Sequence, residues 1–137
     1  MQVIGAMAQI AASQQAAKAY EASGEAEAQA LKDKAESAES AAKDRELTRL
    51  VQLRKVRAAQ RAYWSTSGVD SFTGSPTVVA ARSYEMFDLD QGADLINTRQ
   101  QIRTYNNSAD AAVRIGRIKA RSSILGGVMG AANTMAS

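Results

Sequence analysis

The chain has no cysteine and no histidine, one proline, and seven aromatic residues (one Trp, four Tyr, two Phe) among 137. The first two absences exclude disulfides, Cys/His metal sites, thiol nucleophiles and every histidine-based triad. The scarcity of aromatics leaves little to fill a compact core. Alanine supplies much of the apolar content and buries little area per residue. At ~25 cal/mol per Å², an alanine-lined contact between two helices does not easily offset the ordering of such a chain. A lone hairpin of this composition is therefore expected to need a partner, either further copies of itself or other proteins. Long apolar runs are missing too. Residues 1–13 and 122–137 are uncharged and apolar, but each falls short of the ~20 residues that span a bilayer as a helix. The first is not expected to be a secretory signal, because no basic region precedes it.

What the chain does have is helix-forming sequence on both sides of one break. The break is WSTSGVDSFTGSP, Trp64 to Pro76, and it holds the only proline. Upstream the composition is Ala, Gln, Glu, Lys and Leu, all strong helix formers. The fold class expected is all-α: a long antiparallel helical hairpin, acting in an oligomer, with the 137 residues forming a single hairpin. The first helix is assigned to residues 1–64, with an apolar N-terminal end. The turn is assigned to 65–75, the return helix to 76–124, and an apolar tail of small residues to 125–137. In the turn, Gly68 and Gly74 can take positive φ, Ser75 is expected to cap the return helix and Pro76 to occupy its first position. Asp70, Ser71 and Ser75 can bond local amides, and Val69 and Phe72 are expected to tuck against Tyr63, Trp64 and Val78.

Charge order supports folding back at about Val69. Residues 21–46 carry eight acids and four bases, whereas residues 47–61 carry five bases and no acid. Folded back, Arg49, Arg54, Lys55, Arg57 and Arg61 come level with Glu85, Asp88, Asp90 and Asp94. Likewise Glu21, Glu25, Glu27, Asp33, Glu36 and Glu39 come level with Arg99, Arg103, Arg114, Arg117, Lys119 and Arg121. Opposite charges at facing positions steer register more than they stabilise. The net charge of +3 is thus read as mutually neutralised faces, with non-specific proximity to DNA rather than base recognition, since interleaved aromatics for stacking are lacking.

Bulky apolar residues at three- and four-residue spacing begin at Leu47 and continue through Leu50, Val51, Leu53, Val56 and Tyr63. On the return helix they include Val79, Met86, Leu89, Ile96 and Ile102, and continue through Ala109 and Ala112 to Ile115 and Ile118. Such stripes predict wide buried faces, with the best packing near the turn. Gly24 stands out as a weak point in the first helix, while Gly92 and Gly116 are candidates for bends or close contacts. Because a two-helix hairpin leaves much of a wide stripe uncovered, Leu47, Leu50, Val51, Leu89, Ile96 and Ile102 are the expected oligomer contacts. At the other end, the two apolar termini are expected to meet. There Val3, Ile4, Ile10, Ile124, Leu125, Val128 and Met129 are the candidate membrane- or partner-contacting residues, beside a Gly126-x-x-x-Gly130 spacing.

No catalytic, cofactor or metal site is expected. The hydroxyls of the turn have no His or Lys beside them to activate a nucleophile. The acidic pair Asp88 and Asp90 with nearby Asp94 is the one candidate for a metal, and Asp90 and Asp94 share a helix face, but the facing bases account for them better.

The segment from Arg57 to Ala112 resembles the middle of the small internal virion proteins, or ejection proteins, of tailed phages, of the internal virion protein B kind found in short-tailed phages. The resemblance rests on an Ile4-Gly5-Ala6 start to an Ala/Gln-rich helix, then a turn carried by Ala62, Ser67, Gly68 and Val69. A helix start at Gly74-Ser75-Pro76 follows, then Asp94, Ile96 and Asn97 on the return helix, and a Gly/Ala/Met-rich tail over Ile124–Ala136. It implies a non-catalytic protein packaged in the virion interior near the portal, with itself, other ejection proteins and the portal as partners. It implies ejection with the genome and a role in a conduit across the host envelope, including the outer membrane. Two other readings fit the same residues. One is a virion structural protein that stays at the portal or tail. The other is a secreted helical hairpin of the WxG type, although here Trp64 and Gly68 are separated by three residues.

Overall fold

A computed structural model describes residues 2–68 and 74–136. It is helical, with α1 (Gln2–Thr66) and α2 (Ser75–Ala136) packed against each other as a hairpin. Contacts group the chain into two units. One comprises Met1–Ala35 with Arg103–Ser137; the other comprises Glu36–Ile102.

The first unit is held by a seam of small side chains. On α1 the inward positions Ala6, Ser13, Ala17, Gly24, Ala28 and Ala35 follow one another at four- or seven-residue steps and are buried. On α2 their counterparts are Ala109, Ala112, Gly116, Ala120, Gly127 and Ala131. Such spacing keeps a narrow stripe facing the neighbouring helix. Ala28, Ala109 and Ala112 form its tightest cluster, flanked by Leu31 and Val113. At Gly24 and Gly116 the two backbones touch. A Cβ at Gly24 would lie 2.8 Å from the Ala112 carbonyl oxygen and 3.2 Å from the Gly116 Cα, and a Cβ at Gly116 would lie 2.9 Å from the Tyr20 carbonyl oxygen. Gly24 is thus a point of close backbone approach rather than a weak point. Gly116 makes the close contact expected of it, whereas Gly92 has open space around it.

The seam continues along α2 past residue 124. The expected apolar tail is helix as far as Ala136, because its small residues still have α1 to pack against. Gly127 lies against the Ser13 side chain and Gly130 against Gln9, while the Ser123 hydroxyl donates to the Ser13 carbonyl at 3.3 Å. Gly126, the first glycine of the noted spacing, has nothing within 4 Å. The seam glycine is Gly127.

The second unit packs more loosely, contrary to the expectation that the best packing lies near the turn. Here Leu50, Leu53, Phe87 and Ile102 are only half-buried, and Pro76 and Thr98 are its buried residues among those described. Leu47, Val51, Val56 and Tyr63 on α1, and Val79, Met86, Leu89 and Ile96 on α2, are exposed. The physical reason is reach. Bulky side chains hold two helices apart, and with only two helices nothing covers them from the other side. Ile115 and Ile118 in the first unit are exposed for the same reason. No large side chain among the described residues is fully buried.

The helix ends near the break have clear local causes. The Ser67 amide and hydroxyl both donate to the Tyr63 carbonyl, at 3.0 and 2.7 Å, and the Thr66 hydroxyl donates to the Ala62 carbonyl. Gly68 then takes φ of 72°, the left-handed conformation that stops α1. On the far side, Gly74 has φ of 66° and its carbonyl accepts the first helical bond of α2, from the Val78 amide at 3.3 Å. Gly74 therefore flanks the helix and Ser75 is its first residue, one position earlier than expected. The packing expected of Val69 and Phe72, and the bonds expected from Asp70 and Ser71, lie outside the described residues.

The glycines separate close approach from simple helix propensity. Gly24→Ala and Gly116→Ala should each lower stability by about 1–2 kcal/mol, because the added methyl meets backbone. Gly92→Ala, whose methyl meets open space, should raise it by about 0.5–1 kcal/mol. Urea unfolding followed by circular dichroism reads both; gains at all three positions would contradict the backbone contact.

Candidate interaction surface

In the second unit the polar link between the helices converges on Asp94. Arg45 and Arg49 stand one turn apart on α1, so both side chains reach the same point on α2. Arg45 donates from Nε to Oδ1 and Oδ2 of Asp94 at 3.2 and 3.1 Å, and from Nη2 to Oδ1 at 3.0 Å. Arg49 donates from Nη1 to Oδ2 at 2.8 Å and to Gln91 Oε1 at 3.1 Å. Arg45 also reaches the hydroxyl of buried Thr98, at 3.3 Å. These charge-assisted bonds, first from Arg45 and then from Arg49, hold the Asp94 carboxyl below its usual range. The bond to Asp94 likewise raises the Arg45 guanidinium.

Among the described residues, these are the salt bridges between helices. The expected matching of charge blocks is therefore realised at one node. Arg57 instead donates to Gln60 at 2.6 Å and lies 5.7 Å from the centre of the Tyr84 ring; Gln60 in turn donates to the Ser83 hydroxyl at 3.0 Å. Arg54, Lys55 and Arg61 are exposed, as are Glu85 and Asp88. Arg45 was absent from the expected basic partners, although its i,i+4 relation to Arg49 was the available signal. In the first unit, Glu21, Glu25, Val113 and Arg117 line one recess, so part of the other charge match falls together there without a salt bridge.

The expected oligomer contacts divide between two surfaces. Leu47 and Val51 are 61% and 49% exposed on α1, and Leu89 and Ile96 are 63% and 58% exposed on α2. Leu50 and Ile102 are half-buried within the hairpin instead. Between the helices, Leu53, Val56, Val79, Met86 and Phe87 line an open apolar groove rimmed by Arg49, Arg82 and Asp90.

The apolar ends do meet, within the first unit. Ile10 faces inward and is half-buried, whereas Val3, Ile4, Ile124, Leu125, Val128 and Met129 are exposed. Ile118, Leu125 and Met129 follow one another at seven- and four-residue steps, on the side of α2 away from the seam residues Ala120, Gly127 and Ala131. Exposed Arg117, Lys119 and Arg121 stand beside this stripe. No helix among the described residues is long and apolar enough to cross a membrane. Nor do three acidic side chains converge as a metal site among those residues; of the carboxylates weighed for that role, Asp94 is paired with two arginines.

No family model, curated protein or solved structure matches the chain.

The Asp94 node gives a signed pH dependence. A carboxylate held below its ordinary pKa contributes its full stabilisation above the ordinary range and loses it as pH falls through the lowered value. Asp94→Asn should lower stability at neutral pH and flatten part of the acid limb. Denaturant unfolding across a pH series reads this; an acid limb unchanged by the substitution would show that the node adds nothing to stability.

Proposed function

We propose that this chain is a non-enzymatic internal virion protein of a tailed phage. It would be packaged inside the capsid near the portal and ejected with the genome. With further copies of itself and other ejection proteins, it would help form a conduit across the host envelope. The observation that carries this reading is the distribution of apolar surface. With no fully buried large side chain among the described residues, the hairpin exposes Leu47, Val51, Leu89 and Ile96 in one unit and Ile118, Leu125 and Met129 in the other. Such surfaces are covered by partners when a protein is stored in a packed assembly. The same surfaces become available for new contacts once it leaves. The motif resemblance across the turn and return helix supports a phage virion as that assembly. DNA is a neighbour in this reading and not a ligand read by sequence.

Location tests the reading directly. The protein should be present in full virions and missing from particles emptied of DNA. Its absence from full virions would overturn the proposal, and its retention in emptied ones would favour a structural protein that stays at the portal or tail.

The apolar ends supply the envelope contact, with Arg117, Lys119 and Arg121 next to anionic headgroups. Neither end spans a bilayer alone, so insertion would need several copies. Replacing Leu125 and Val128 with Asp should reduce binding to anionic liposomes about tenfold or more, given ~2.5–3.5 kcal/mol for a charge placed in the apolar layer, and reduce genome delivery by virions that still assemble. Unchanged binding and delivery would leave the ends as packing surfaces only.

A further inference from the structure

The second unit carries two apolar stripes that the hairpin itself leaves uncovered. On α1, Leu47, Val51, Ala58 and Ala62 recur at four- and seven-residue steps and are exposed. On an α-helix they fall on the side away from Arg49, Leu53, Arg57 and Gln60, which face α2. On α2, Val78, Glu85, Leu89, Ala93 and Ile96 do the same relative to Pro76, Ser83, Phe87 and Thr98. Val78, Arg82, Glu85 and Leu89 border a groove formed by α2 alone. The unit is thus a two-helix slab with an apolar stripe on each outer edge.

The charges on the two edges are complementary. The α1 edge carries Asp44, then the apolar Leu47 and Val51, then Arg54 and Lys55. The α2 edge carries Arg99, then Ile96, Ala93 and Leu89, then Glu85, with Arg82 one turn beyond it toward the break. The Arg45–Asp94 and Gln60–Ser83 bonds fix the levels of the two helices. In that register Val51 stands level with Leu89, Lys55 with Glu85, and Asp44 with the turn from Ile96 to Arg99. A second copy set beside the first, unshifted along the helix axis, would place its α2 edge on the first copy's α1 edge with each of these levels matched. A two-fold contact through either edge leaves the other edge in water at every copy. The α1-on-α2 contact covers both.

We propose that the partner of these edges is a second copy of this chain, joined head to tail, with the outer stripe of α1 in one copy packed on the outer stripe of α2 in the next. Val51 and Leu89 form the apolar centre of the joint, and Lys55 and Glu85 set its register. This contact is heterologous, so it repeats from copy to copy and either closes into a ring or continues as a filament. The inference rests on the oligomeric part of the function proposed above and specifies its joint.

The chain has no native cysteine, which makes the joint readable by cross-linking. Full-length Val51→Cys and Leu89→Cys proteins, mixed and oxidised, should form disulfide-linked dimers that neither protein forms alone. Cross-linking of Val51→Cys with itself would show a two-fold contact, and no cross-linking in the mixture would show that the edges do not meet; either overturns the proposal. Charge exchange gives a second reading. Lys55→Glu and Glu85→Lys should each weaken self-association about tenfold by placing like charges at the joint, with helix content unchanged because both side chains are exposed. Mixing the two variants should restore association, since each then offers the edge the other lacks. Association indifferent to both substitutions overturns the joint while sparing the oligomer, and a chain that stays monomeric in sedimentation overturns both.

Discussion

Everything in the first unit depends on how closely two backbones can approach. With glycine at positions 24 and 116 and alanine or serine around them, there are no side chains long enough to keep the helices apart, and the contact runs through main-chain atoms. This kind of packing gains little from transfer of apolar area and more from dense van der Waals contact along the seam. It also tolerates very little change, because an added methyl at the crossing meets a carbonyl or a Cα rather than a flexible side chain. The ends of α1 and α2 away from the break are held by the same device. Ser13, Ser123, Gly127 and Gly130 carry the seam outward, and the apolar ends are helical because they continue it.

The second unit solves the same problem differently. Its inward side chains are larger and half-buried, so packing alone gives it no sharp preference for one axial register. Two arginines on one acid supply that preference. A forked guanidinium meeting a carboxylate is directional, and a second donor from the next turn of the same helix makes any slide along the axis costly at both bonds. Thr98 and Gln91 complete the arrangement, the first accepting from Arg45 Nη2 and the second from Arg49 Nη1. The large apolar residues are then free to face outward.

The hairpin, its break and its approximate register were legible in the sequence. One proline, two turn glycines and a reversal of charge order are enough to fold the chain back at the right place, and Gly68 and Gly74 both take the backbone angles that only glycine adopts easily. The faces were less legible. A stripe such as Leu47, Leu50, Val51 and Leu53 has the same helical period whether it faces the neighbouring helix or the outside, so hydrophobicity alone did not separate Leu50 and Leu53, which pack inward, from Leu47 and Val51, which do not. The small-residue stripe running from Ala6 through Gly24 to Ala35 was equally periodic. It passed unnoticed because alanine is common throughout α1 and so gives no contrast in a hydrophobicity pattern. Charge pairing was legible at Arg49 and Asp94, which do bond, but not at Arg54, Lys55 and Arg61, whose long side chains have more room outside the hairpin than inside it.

The alanine seam has a thermal consequence. The heat capacity released on unfolding follows the apolar surface newly exposed to water, and typical domains show ~12–15 cal/mol/K per residue. A contact made by methyl groups and bare backbone exposes far less, and the large apolar residues of this chain are already largely in water before it unfolds. An isolated chain should therefore have a flat stability curve: never very stable at its optimum, yet losing little on cooling and melting over a broad range rather than at a sharp temperature.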